Sequence, residues 1–541
     1  MAISDTPPNC VSVVIIGAGF SGLVVACQLK QQLNCDDFVI YDRGATLGGT
    51  WAANTYPGCG VDIPAPFYSL SFAPNAEFSR FFPKQQEVLQ YLESVALRYD
   101  ISGHVVGNTE WISASFEDST KTWLVKLRDV KSDQENIQES KILVSAVGGL
   151  TNPNPFHIDG IERFQGSMIH TARWDHSVSL NDKDVVVIGN GSSATQLVPA
   201  IASNVHSVTQ FIRSPQHYFP GNDITIPSSW RTTFRRLPAL LRFVRLLIFL
   251  YLETSSFQFD LTKTGERMRE EAREKSCRYI EQYAPEEYWD LLMPTADIGC
   301  KRRVFDHDGY ISCLNRDNVH LTNDPIIALR EHSVLTQSGK TYPADVIVLA
   351  NGFSLTQFDA ELRGRHGHSR KGHWQEFGYI EAYNSVAMSG LPNFFYMMGP
   401  NSGRGHTSII YSLESYANLI IRVIKPVISR HALTVEPKVS SERAYNDQLH
   451  TALEKTVLTN ACRSWYIDER TGRNWVIYPW SSFYMWYTTH VAGLGDWIYE
   501  TPVFCSLILL SVELSGGEKW TNYLSTRTPL EPLLSIVQKS N

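Results

Sequence analysis

Four short apolar runs stand out along the chain: 13–16 (VVII), 142–146 (ILVSA, with one serine), 185–188 (VVVI) and 346–350 (VIVLA), and each runs straight into a glycine-bearing turn. Uninterrupted runs of this length predict strands buried on both faces, as in a parallel sheet covered by helices. The first and third runs lead into segments rich in small residues that read as helices, and each is followed by a second strand, 38–41 and 207–212. Residues 85–99 carry the spacing of an amphipathic helix, and 111–127 alternate like a hairpin. The stretch 48–82 is dense in glycine, proline and aromatic residues and is too long for a simple connection, which marks it as functional. Between 220 and 294 lies a mostly helical, partly charged segment that reads as an insertion, with 266–283 showing the mixed charges of a solvated helix face.

The run 142–146 has the character of the strand by which a dinucleotide-binding fold returns to its cofactor, and 345–353 is a near-copy of it. The repeat suggests a first fold interrupted by a second and completed afterwards. The expected class is α/β, with two Rossmann-like dinucleotide-binding domains: a first part over 1–155, a second domain over 156–340 with its helical insertion at about 221–294, and a return to the first domain with a C-terminal tail over 341–541.

The two turns carry different chemistry. Gly17, Gly19 and Gly22, with Phe20 and Ser21 between them, form GxGxxG: one glycine for the tight turn, one for close approach to a pyrophosphate, one for helix–strand packing. Twenty residues beyond Gly22 the second strand ends in Asp42, beside Arg43. A carboxylate there accepts ribose hydroxyls and repels a 2′-phosphate, so this loop fits FAD or NAD(H). The second loop, Gly189, Asn190, Gly191, Ser192, Ser193 and Ala194, opens a helix that also carries Gln196, and its second strand ends in Arg213 and Ser214. A guanidinium and a hydroxyl at the ribose edge suit a 2′-phosphate, which assigns NADPH.

The chain has 541 residues and 61.1 kDa, enough for two or three domains, with Lys+Arg 48 against Asp+Glu 55 and a net charge of −7 not gathered into runs. That balance argues against nucleic-acid binding. Nine scattered cysteines without CxxC suit a reduced compartment, and the N-terminus lacks a basic region ahead of its first apolar run, so a cytoplasmic enzyme is expected. A disulfide reductase would need a redox pair near the flavin, where Cys59 stands alone. Two further apolar stretches, 237–252 and 502–512, fall short of the roughly 18–20 residues of a spanning helix. They read as buried or substrate-facing helices, with peripheral membrane contact as the alternative. Residues 362–373 gather Arg363, Arg365, His366, His368, Arg370, Lys371 and His373; with no acidic or cysteine ligand among them, a basic surface loop is expected and no metal site.

Four motifs then carry a resemblance. Gly48, Gly49, Thr50 and Trp51 precede Asn54, Tyr56-Pro57-Gly58, Asp62 and Tyr68; Phe164, Gly166, His170 and Trp174 spell FxGxxxHxxxW, followed by Asp175; Gly299 to Arg303 read GCKRR; and Ser464-Trp465-Tyr466 stand near the tail. Together these resemble the Baeyer-Villiger-type flavoprotein monooxygenases, in the wider class that includes the N- and S-oxygenating flavin monooxygenases. The resemblance implies FAD and NADPH as cofactors, a C4a-peroxyflavin, O₂ and a small-molecule ketone as substrates, and an ester or lactone as product, with a polyketide-derived metabolite suggested by a looser likeness to fungal members. Oxygenation at nitrogen or sulfur is the alternative.

It further implies that Arg302 is the catalytic cation, that Asp62 orients it, that Lys301 and Trp111 belong to the cofactor sites, that His170 and Trp174 couple the two folds, and that Trp465 covers NADP(H). Spacing alone favours reading Arg302 as part of an ordinary basic surface cluster with Lys301 and Arg303, and reads Asp62 as readily as a loop cap and Trp465 as a core residue. Val147 and Asn351 depart from the family's usual Ser or Thr at the two return turns.

Overall fold

The computed structural model describes residues 10–502, apart from 222, 297, 300–302, 356–357, 460–465 and 469. Strand Cys10–Ile16 lies at the centre of an eight-stranded sheet, hydrogen-bonded in parallel to Phe38–Tyr41 on one side and to Glu135–Ser145 on the other. Val13, Val14 and Ile15 have no exposed surface, as expected for a strand covered on both faces. The 111–127 alternation is realised as Thr109–Glu117 paired antiparallel with Thr122–Asp129, and Gln85–Arg98 forms the amphipathic helix. Helix Phe20–Leu33 packs under helix Ile409–Ile428, whose buried residues include Ile410, Leu413, Ala417, Ile420 and Ile424 at helical spacing.

A second, five-stranded parallel sheet is built on Asp184–Ile188, with Ser207–Phe211 and Val319–Thr322 on one side and Val346–Leu349 and Ser167–His170 on the other. The run 346–350 therefore does not resume the first fold. It closes the second, and the expected boundary at 340 moves to beyond Leu349. The physical reason lies in the glycine loops. Gly17 stands against the backbone oxygen of Ala146, where an added Cβ would lie 2.6 Å away, and Gly189 stands in the same way against Ala350. Each sheet needs its own returning strand beside its own loop, so the sequence carries two near-copies. The chain rejoins the first sheet through Glu361–Arg363, beside Thr109–Glu117, and through Phe394–Tyr396, beside Glu135–Ser145.

The main helices of the inserted segment are Ser228–Arg236, Pro238–Thr254 and Lys263–Tyr283. The middle one corrects an expectation in part. Phe243, Leu246 and Leu250 are exposed on it, so the stretch is not buried throughout, whereas Leu247, Ile248, Tyr251 and Leu252 line a cavity, as a substrate-facing helix would.

The basic surface loop is also corrected, for Arg370 and His373 are buried. Arg370 is taken inside because its guanidinium donates to the backbone oxygens of Phe358 and Ala360 and lies against the rings of Phe358 and Trp374. His373 Nε2 lies 3.1 Å from Glu442 and 3.8 Å from Glu381, two carboxyl groups with no exposed surface. Glu442 accepts from the backbone N–H and hydroxyl of Ser389. Burial, and then the neighbouring Glu442, push the carboxyl of Glu381 up to about 9.

A carboxyl raised in the folded state holds its proton where the unfolded chain has lost it, so folding stability falls as pH rises from the unfolded value near 4.5 towards 9. Glu381→Gln removes that dependence. Urea midpoints of the variant and the parent should agree near pH 4, and the variant should be the more stable at pH 8.

Candidate functional site

Both glycine loops open onto one cavity of about 2760 Å³ between the two sheets. The helices that begin there, Phe20–Leu33 and Ser192–Ile201, have glycine at the N-cap, no side-chain cap and no acidic residue in the first turn. Their first backbone N–H groups are thus left for an anion, which two pyrophosphates would supply.

In the first half, Gly49 adopts φ +53 and ψ −120, and an added Cβ would lie 2.8 Å from Cα of Gly19. The 48–62 loop and the phosphate loop therefore meet backbone to backbone. Asp42 accepts the N–H of Ala18 at 2.7 Å and of Gly44 at 2.6 Å, which fixes its carboxylate at the end of the strand; burial raises its pKa above the usual range. Arg43 pairs with Glu110 at 3.8 Å and donates to Asn152. Trp51 and Phe20 each pack edge-on against Tyr68, with centroids 5.7 Å apart, and make an aromatic wall. Trp111 Nε1 and Asn54 Oδ1 are buried without a hydrogen-bond partner among the described residues, and both residues line the cavity. Orphaned polar atoms in such a wall fit a polar group of a bound cofactor.

In the second half, Asn190 Nδ2 donates to the backbone of Ser214 at 2.8 Å and ties the glycine loop to the end of the second strand. Arg213 is exposed at the cavity edge, with no ion pair among the described residues. Gln196 joins the halves: it accepts from Tyr56 at 2.8 Å and donates to the backbone of Gly60 at 3.1 Å, while Gly58 stands so close to the backbone of Gln196 that a side chain there would overlap it.

All the described residues expected at the cofactor sites line this cavity except Gly22 and Ala194. Those two are buried in helix packing: a Cβ at Gly22 would overlap the backbone of Gly17, and Ala194 has no exposed surface. Lys301, Arg302 and Trp465 lie outside the described residues; Gly299, Arg303 and Tyr466 beside them line the cavity. Asp62 lies on the wall, and its charge acts on His307.

His307 was not singled out by sequence reasoning. Its ring stacks on Phe82 at 3.8 Å, neither ring nitrogen has a hydrogen-bond partner among the described residues, and burial holds its pKa below the usual value against the pull of Asp62, Asp308 and Asp223. A second group escaped notice on the 399–408 loop. Glu253, from the inserted helix, accepts the N–H of Ser482 at 2.6 Å and its hydroxyl at 2.5 Å, and lies 3.1 Å from His406 and 3.6 Å from Arg404. Burial alone would raise this carboxyl, but the hydrogen bonds from His406 and Ser482 and the charge of Arg404 hold it at about 2. No local motif announces such a group, because its members come from three distant segments.

His170 has a structural part. Its Nδ1 accepts the N–H of Ala172 at 2.9 Å, so Nε2 carries the proton and donates towards Asn351 Oδ1 at 2.9 Å and the backbone of Gly352 at 3.1 Å. The residue at the departure from the family pattern, Asn351, is thus the partner of the fingerprint histidine. The two chain crossings between the sheets are bonded to each other as well, through Asn154 to Gly352 and Asn351, and Ser354 to Asn152.

Two mononucleotide-binding sheets facing one cavity define an oxidoreductase that brings two dinucleotides together. The chain matches the NAD(P)-binding Rossmann-like domain over residues 15–84. It is 33% identical over 486 residues to a Baeyer-Villiger monooxygenase of Pseudomonas aeruginosa, with 88% of this chain and 90% of that protein covered. It is 31% identical to an FAD-binding monooxygenase of Aspergillus niger over 89% of this chain and 80% of the relative. Its fold matches that of an oxidized steroid monooxygenase bound to NADP, with a TM-score of 0.79 and 26% identity over 91% of this chain and all of the other. The chain belongs to the Baeyer-Villiger-type flavoprotein monooxygenases, with FAD and NADP(H) as its cofactors.

Gly49→Ala places a Cβ against Gly19 in a backbone conformation that favours glycine, costing about 1 to 3 kcal/mol before any clash. The purified variant should lose most of its bound flavin, read as the ratio of absorbance at the flavin band to that at 280 nm, roughly, while the fold persists by far-ultraviolet circular dichroism.

Proposed function

We propose that the protein inserts one oxygen atom of O₂ beside the carbonyl of a small-molecule ketone, giving an ester or lactone. NADPH supplies two electrons, and the second oxygen atom leaves as water. The observation that carries this reading is the pair of uncapped helix N-termini opening on a single cavity, in a chain whose relatives include Baeyer-Villiger monooxygenases. The fungal relative favours a secondary-metabolite ketone, such as a polyketide-derived one.

The residues divide the work. The first glycine loop, Asp42, Arg43, Thr50, Asn54 and Trp111 hold FAD, which when bound supplies the electron transfer to O₂ that no side chain offers. The second loop, Gln196, Arg213 and Ser214 hold NADPH, with Arg213 on the 2′-phosphate. Lys301 and Trp465 complete that site. Arg302 is the permanently charged group that stabilises negative charge at the reacting oxygen and on the substrate carbonyl, and Asp62 orients it. Trp51, Tyr68 and Phe20 exclude water from the reacting end. The division into a first domain, a second domain with its insertion, and a returning first domain puts the reaction where the two sheets face each other.

Purified protein with NADPH and O₂ should convert a member of a ketone panel to its ester by mass spectrometry; turnover of sulfides or amines alone would refute the ketone reading. Arg302→Ala should keep its reduction by NADPH and lose ester formation by on the order of 10²- to 10³-fold. Unchanged ester formation in that variant would remove Arg302 from its role. Arg213→Ala should raise KM for NADPH by roughly 10- to 100-fold, the worth of a charge-assisted hydrogen bond, and leave KM for NADH unchanged in steady-state assays.

A further inference from the structure

Helix Pro238–Thr254 exposes Phe243, Leu246 and Leu250 at helical spacing, with exposures of 55%, 48% and 41%. The preceding helix adds Trp230, and helix Ser482–His490 adds Phe483, Trp486 and Tyr487, all about half exposed. Helix Ser482–His490 packs beside the inserted helix, for the ring of Phe483 lies 5.3 Å from that of the buried Phe249. A monomer seldom leaves so many neighbouring aromatic and aliphatic side chains in water.

Along the inserted helices the exposed charges are of one sign. Between residues 225 and 259 the chain has five arginines and one acid, Glu253. Glu253 is buried in its network with His406 and Ser482, Arg245 is mostly covered against Glu414, and Arg231 is half-buried. What faces solvent is Arg235, Arg236 and Arg242, with Arg235 also touching Glu77. This stands out in a chain of net charge −7.

We propose that this face docks on an anionic lipid bilayer, with helix Pro238–Thr254 lying in the interface, its apolar side among the acyl chains and its arginines at the headgroups. Exposed aromatic and leucine side chains flanked by arginine are what an interfacial helix presents. A second copy of the chain is the poorer occupant, because a twofold contact through this face would set arginine against arginine. Leu247, Ile248, Tyr251 and Leu252 of the same helix line the cofactor cavity, so docking would bring that cavity close to apolar compounds dissolved in the bilayer. That delivery rests on the ketone reading above; the docking does not.

Flotation of the FAD-loaded full chain with phosphatidylcholine vesicles, with and without phosphatidylserine, tests the docking without any turnover. The protein should float with the serine lipid and be released by salt. Phe243→Ser/Leu246→Ser/Leu250→Ser should lower partitioning at least tenfold. Arg236→Glu/Arg242→Glu should lower it at least tenfold on the anionic vesicles, and both variants should keep flavin content and NADPH oxidation. Failure of the parent to float at low ionic strength, or unchanged flotation of the serine variant, overturns the proposal. So does a dimer in sedimentation velocity that the serine variant dissolves, since a second copy would then own the face.

Discussion

The segment from Gly48 to Asp62 touches both dinucleotide folds with no side chain between the backbones, and the rest of the molecule is arranged around that contact. At one end Gly49 lies against Gly19 of the first loop; at the other Gly58 lies against Gln196 on the helix of the second. Polar bonds from Gln196 to Tyr56 and Gly60 hold the register. Glycine is required because each contact is closer than a Cβ allows, and the long loop is required because one segment must reach two sheets. The cofactors are thereby brought into one cavity instead of two separate clefts.

Much of this was legible in the chain. Strands covered on both faces leave an uninterrupted apolar run, and a phosphate loop needs glycine at fixed places, so both sheets and both loops could be read from composition and spacing. The membership of 346–349 could not. A returning strand has the same local character in either sheet, and only its hydrogen bonds to Asp184–Ile188 and Ser167–His170 decide. Arg370 and His373 misled for a related reason: a basic run looks solvated until the carbonyls, rings and carboxyl groups that neutralise it arrive from elsewhere. His307, Arg404 and Glu253 lay outside any motif. The exposed side of helix Pro238–Thr254 was equally hidden, because apolar content does not say whether a face turns inward.

Glu253 shows how the inserted helix is tied to the core. One buried carboxylate meets the N-terminus of helix Ser482–His490, a histidine and an arginine of the 399–408 loop. Breaking one partner of such a group leaves charge without compensation in a dry wall, which costs about 3 to 5 kcal/mol. The cavity wall is accordingly held in one arrangement on that side, while the apolar outer surface of the same helix is free to meet a different medium.

The paired crossings at 152–154 and 351–354 carry a mechanical consequence. Two antiparallel strands of linker, laced by Asn154, Ser354 and His170, behave as a two-ply strap and not as two independent tethers. The second sheet therefore leaves and rejoins the first through one hydrogen-bonded unit, and losing Asn154 or Asn351 would loosen both crossings together.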